Sequence, residues 1–131
     1  MKTNKRFASH PHRQNGMTAI AVVAILAMVG FFAMIAIRLF PIYLEHFSVV
    51  KHLENVAKEA DINEKTDADI LSTLNKRFGI DDVQNVSNEN IFIERNNRGV
   101  ISTLAIEYEV RTPAISNVDM VVSFVDEVKV D

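Results

Sequence analysis

From Met17 to Ile37 the chain runs twenty-one residues without a charged side chain, and only Thr18 and Gly30 interrupt its apolar character. As a helix rising ~1.5 Å per residue, that segment is roughly 30 Å long, about the thickness of a bilayer's hydrocarbon layer. It reads as a transmembrane helix. A cleaved secretory signal has a shorter apolar region of about 7–15 residues, followed by a small-residue A-x-A site. Here the run is longer, and its A-x-A, Ala19 and Ala21, stands at the wrong end. A retained anchor is the expectation.

Charge sets the orientation. Lys2, Lys5, Arg6 and Arg13 precede the run with no acid among them, whereas residues 38–131 hold ten basic and all seventeen acidic residues. Basic flanks stay cytoplasmic, so the acidic part faces outward. Arg38 can snorkel into headgroups at the far end, and Phe40 and Tyr43 suit the aromatic layer there. The four leader charges are fully explained as a topology signal. With an overall charge of −3, nucleic acid is not an expected partner. A charged content of 24% argues against a polytopic membrane protein or a disordered tail, and the absence of Cys excludes disulfides, thiolate metal sites and a cysteine nucleophile. Ala21, Ala24, Ala27, Gly30, Ala33 and Ala36 recur at steps of three. Such a row winds around a helix rather than making one flat face, so it reads as ordinary alanine-rich membrane composition.

Pro41 predicts a kink at the membrane exit. Helical spacing resumes beyond it through Phe47, Val50, Leu53, Ala57 and Ala60, giving one helix of roughly forty residues whose second half packs on the soluble part. Thr66 is the expected N-cap of a second helix over 67–78, with Asp67 and Asp69 in its first turn, an Ile70, Leu71, Leu74 and Phe78 stripe, and Gly79 ending it. Val83 and Val86 suggest a short strand, and Ile91-Phe92-Ile93 a clearer one. Asn96-Asn97-Arg98-Gly99 has hairpin-loop composition. Leu104, Ile106, Tyr108 and Val110 then alternate with Ala105, Glu107, Glu109 and Arg111. After a turn over Pro113 to Asn117, Val118, Met120, Val122 and Phe124 alternate with Asp119, Val121, Ser123 and Val125. The pattern is an antiparallel meander with one buried face.

The catalytic inventory is thin. His10 and His12 lack a third ligand, and His46 and His52, six apart, fall on different helix faces and read as surface residues. Asp81 and Asp82 read as a solvated loop without the twelve-residue calcium pattern. Glu107 and Glu109 lie ~7 Å apart on one strand face, a spacing compatible with acid/base work, yet they belong to the solvent side of an ordinary amphipathic strand. Asn85-Val86-Ser87 is a sequon of the kind that arises by chance. No nucleophile-elbow, P-loop or dinucleotide motif occurs.

Gly16-Met17-Thr18, the apolar run and Phe40-Pro41-Ile42-Tyr43 together resemble the N-terminus of type IV pilins. Those have a basic leader ending in Gly, an apolar helix and an x-Pro-x-Tyr near its end. The resemblance implies processing between Gly16 and Met17. It departs at Ala21, where pilins carry a glutamate at the fifth mature position. A broader likeness spans nearly the whole chain. Arg13-Gln14-Asn15-Gly16-Met17-Thr18, Pro41-Ile42-Tyr43-Leu44, Glu107-Tyr108-Glu109-Val110-Arg111 and Asn117-Val118-Asp119-Met120-Val121-Val122 with Phe124 resemble the proteobacterial family of domain of unknown function 4845. Its members are small single-pass membrane proteins, often encoded beside signal peptidase I and ribonuclease III. That implies the same topology and supplies no mechanism.

The expected fold is α+β and pilin-like: a long N-terminal transmembrane helix kinked near Pro41, a second helix, and an antiparallel sheet of three to four strands. The expected divisions are a cytoplasmic leader over 1–16, a transmembrane helix over 17–40 and a periplasmic domain over 41–131. The expected role is non-enzymatic, in a bacterial inner membrane, with lipids and an envelope protein as partners, self-association as a further option, and no cofactor, metal or catalytic residue. A pilin-like subunit cut after Gly16 is the alternative.

Overall fold

The computed structural model describes Gly16 and residues 18–131. The leader charges, His10, His12 and Met17 lie outside the described residues. The chain divides into two compact units between Ala33 and Met34.

Helix α1 (Ala19–Ala57) is 39 residues long and contributes to both units. Its first turn is capped by Thr18, whose Oγ1 accepts from the Ala21 N–H at 3.3 Å and whose carbonyl accepts from Val22 at 3.1 Å. Side chains from Ile20 to Phe32 are almost all exposed, and a Cβ at Gly30 would meet nothing. The most apolar eighteen-residue stretch of α1 has a mean hydropathy of 2.9 and none of it is buried. By length and composition this helix can cross a membrane. It continues as one element through Pro41, which has no N–H to donate to the Ile37 carbonyl.

In the second unit α1 buries Ile42, Val49, Leu53, Val56 and Ala57. This corrects the stripe read from spacing. Leu53 and Ala57 are on it, but Phe47 is 71% exposed and Ala60 is exposed. Apolar residues occupy two neighbouring faces of this stretch, and a three-four spacing can be drawn through either.

A 3₁₀ turn (Ile62–Glu64) leads to α2 (Asp67–Ile80). Thr66 and Asp69 form a reciprocal capping box, with Asp69 N–H to Thr66 Oγ1 and Thr66 N–H to Asp69 Oδ2 both at 3.2 Å. Ile70, Leu74 and Phe78 are buried. Gly79 does not end the helix but lies within it. The stop falls at Asp82, with φ +54, and the Val83 N–H donates to the Phe78 carbonyl at 2.9 Å. This is a Schellman-type closure with aspartate in the left-handed position usually held by glycine. Val83 and Val86 belong to irregular chain rather than a strand, and both pack against the core.

A second 3₁₀ turn (Asn88–Asn90) precedes β1 (Ile91–Arg95), β2 (Ile101–Ile115) and β3 (Val118–Lys129). The sheet is antiparallel in the order β1-β2-β3. The first hairpin closes through Asn96, whose Oδ1 accepts from Arg98 and Val100, with Gly99 at φ +76. On β2, Leu104, Ile106, Tyr108 and Val110 are buried as their alternation requires. They share one core with α1, α2, Ile91 and Phe124. Both helices therefore lie on one face of the sheet, an α+β layout.

Candidate interaction surface and the contacts behind it

The helix-facing side of the sheet carries polar side chains that fix α1 in place. Pairing places Tyr108 opposite Phe124 and Ile106 opposite Asp126, so Asp126 points toward α1. His46 meets them there. Its Nε2 is 2.9 Å from Asp126 Oδ2, its Nδ1 is 2.9 Å from Tyr108 Oη, and its ring stacks on Phe124 at 3.9 Å and 12°. A carboxylate only accepts, so Nε2 carries the proton, and in the neutral ring Nδ1 accepts from the Tyr108 hydroxyl. Burial, then the charges of Glu45 and Asp126, push the Tyr108 hydroxyl far above its ordinary value. The chain of hydroxyl, imidazole and carboxylate has the order of a catalytic relay. Tyr108, however, is only 3% exposed and spends its hydroxyl on His46. The geometry bolts α1 to β2 and β3 at once.

Further contacts extend the attachment. Arg38 donates to the Pro113 carbonyl. Glu45 Oε1 accepts from the backbone N–H groups of Gln84 and Asn85 at 3.0 and 2.9 Å, and Oε2 accepts from Asn85 Nδ2 at 2.9 Å. His52 Nε2 lies 2.6 Å from Asp81 Oδ2, tying α1 to the end of α2. Asn63 Oδ1 accepts from the Ile101 N–H at 3.0 Å. As the helix-side partners rise from 38 through 46 to 63, those on β2 fall from 113 through 108 to 101. Hence α1 runs antiparallel to β2 and parallel to β3.

With the helices on one side, the other face of the sheet is bare. Phe92, Val121 and Val125 are 48%, 47% and 65% exposed there, among the exposed Glu94, Glu107, Glu109 and Glu127. The register sets Ala105 between Phe92 and Glu127, and Glu107 beside Val125. Glu109 accepts from Ser123 Oγ at 3.1 Å. Glu107 and Glu109 thus stand on the solvent side, as their alternation predicts. The face combines apolar side chains with a surplus of carboxylates.

The residues expected at a membrane interface are not gathered into one site. Arg38 is half-buried against Pro113, Phe40 is exposed, Pro41 lies within α1, and Tyr43 sets its ring edge-on to Phe124 at 5.5 Å. Gly16 is exposed, and its neighbour Met17 lies outside the described residues. His46 and His52 are half-buried and engaged, not free at the surface. Asp81 likewise holds His52 rather than lying idle in a loop. Among the described residues, no group of three or more His, Asp or Glu converges as a metal site. Asp126 was findable from sequence, because it continues the even-numbered, buried parity of Val122 and Phe124. Its partner on a distant helix was not.

These features define a small α+β domain built on a helix long and apolar enough to cross a membrane. The chain belongs to the family of domain of unknown function DUF4845, whose model matches residues 38–124. The match starts at the first charge after the apolar run and ends at Phe124, so residues 13–18 of the sequence resemblance fall outside it. No curated protein and no solved structure matches the chain.

Proposed function

We propose that the protein is a non-enzymatic, single-pass anchor of a bacterial inner membrane, with a cytoplasmic N-terminus and a periplasmic domain that binds another envelope protein. The observation that carries this reading is the bare outer face of the sheet. Exposed apolar side chains rimmed by charged ones mark an interaction site more often than an idle surface. The surplus of Glu94, Glu107, Glu109 and Glu127 over Arg111 and Lys129 favours a partner presenting basic and apolar groups together. The anchor supports the setting, since basic residues precede it and a net acidic domain follows it.

A photo-crosslinker placed at Val125 in cells tests the reading. A discrete adduct is expected from Val125 and from Phe92, absent from Asn97 in the hairpin loop, and lost when Glu107→Lys and Glu109→Lys are combined. Adducts that ignore the charge reversal, or a catalytic activity abolished by a point substitution in the domain, would overturn it.

The second reading is a pilin-like subunit cut after Gly16. The continuity of α1 from its apolar part into the stretch packed on an antiparallel sheet favours it. Intact mass and N-terminal sequencing of protein from native membranes decides the matter. A chain starting at Met17 supports this reading, and a retained leader excludes it.

A further inference from the structure

We propose that the tip of the β2–β3 hairpin is a second membrane contact that dips into the interfacial layer beside the end of the anchor. This rests on the anchor reading of α1. The tip spans Thr112 to Val118 and turns at Ser116 and Asn117, with Ser116 at φ +50. It holds no charged residue, and Ile115 and Val118, paired across the turn, are 49% and 59% exposed. Exposed apolar residues at a strand end invite association unless something covers them.

The position of the tip identifies what covers it. Arg38 is the first charged residue after the apolar run, and its guanidinium holds the Pro113 carbonyl. Because α1 runs antiparallel to β2, the hairpin continues beyond Pro113 in the direction of Met34. Three residues at ~3.3 Å carry the turn roughly 10 Å past the Arg38 contact. The headgroup layer is the difference between a bilayer of about 40–45 Å and a core of about 30 Å, roughly 6 Å on each side. That contour length is an upper limit on depth and is of the same order as the layer, so a tip pointing this way reaches into it. On α1, Ile37 and Phe40, next to Arg38 in the chain, are exposed, so the helix also presents apolar side chains at this level. At the base of the tip Arg111 pairs with Asp119 at 3.6 Å, which leaves Arg38 as the cation nearest the lipid phosphates. One arrangement of a second copy is disfavoured. Antiparallel pairing along the free edge of β3 would be related by a two-fold axis normal to the sheet. That axis would point two α1 helices in opposite directions, which copies anchored in one membrane cannot do.

The chain contains no Cys, so single-cysteine variants label cleanly. Full-length Asn117→Cys, Asn97→Cys and Ile25→Cys, each carrying an environment-sensitive fluorophore, are reconstituted in vesicles of phosphatidylethanolamine and phosphatidylglycerol with spin-labelled lipid quenchers, shallow for 117 and 97 and deep for 25. The expected result is severalfold stronger lipid quenching at position 117 than at 97, largely lost when Ile115→Asp and Val118→Asp are added. Both side chains are half-exposed, so those variants keep the core intact. If 117 matches 97 and both are quenched by aqueous iodide while 25 is lipid-quenched, the tip proposal fails and the anchor stands. If 25 is also reached by iodide, the anchor reading fails and takes this proposal with it.

Discussion

His46 makes three attachments with one ring, and each has a separable consequence. Removing it leaves the Tyr108 hydroxyl and the Asp126 carboxylate without their partner and exposes the face of Phe124. His46→Ala should cost about 2–3 kcal/mol of stability, and Tyr108→Phe, which removes one hydroxyl, about 1 kcal/mol. Denaturant unfolding in detergent measures both, and the double variant should cost less than their sum because the two share a contact. The pH dependence follows from the raised Tyr108 hydroxyl. A group raised in the folded state contributes stability that is complete below its unfolded value, 10.0, and is lost as pH climbs above it. The stability of the natural chain relative to Tyr108→Phe should fall above that pH, by at most ~1.4 kcal/mol per unit. An unchanging difference would mean that the hydroxyl is not held neutral. Spacing correctly separates His46 and His52 onto different faces. It does not show that each face meets a partner, because Tyr108, Asp126 and Asp81 are remote in sequence.

Helix ends and stripes show how far local pattern reaches. The Thr66 cap is legible because a capping box is a four-residue event. Thr66→Ala should cost about 1 kcal/mol. Hydrogen bonds from Thr66 hold the Asp69 carboxyl below its ordinary value of 3.8, so its contribution is present above that pH and lost as pH falls below it. The other end of α2 is misread because glycine is the usual occupant of the left-handed position, whereas Asp82 fills it here. Asp82→Gly should therefore raise stability by about 0.5–1 kcal/mol, less what the Asp82 contact to Gln84 supplies, and Asp82→Val should lower it. On α1 the displaced stripe yields a contrast that thermal unfolding can read. Leu53→Ala should cost about 2–5 kcal/mol, and Phe47→Ala no more than about 0.5 kcal/mol. The strands are the most legible elements, because alternation from Leu104 to Val110 has a single buried face to match. The gap at Val83 and Val86 is not legible, since two valines three apart fit an irregular segment packed on the core as well as a strand.

At the scale of the molecule, sequence separates the apolar run from the domain because a long stretch without charge has few physical solutions. The bare sheet face is only half legible. Alternation puts Val121 and Val125 outward, while the absence of a covering helix depends on both helices choosing the same side. We infer that α1 crosses a membrane and carries the domain on the side opposite the basic leader. The direct measurement is labelling of Thr3→Cys and Asn97→Cys with a membrane-impermeant maleimide, in cells whose outer membrane has been made permeable. Position 97 should label in intact spheroplasts and position 3 only after the inner membrane is lysed. Labelling of position 3 before lysis, or recovery of the protein in the soluble fraction, would contradict it.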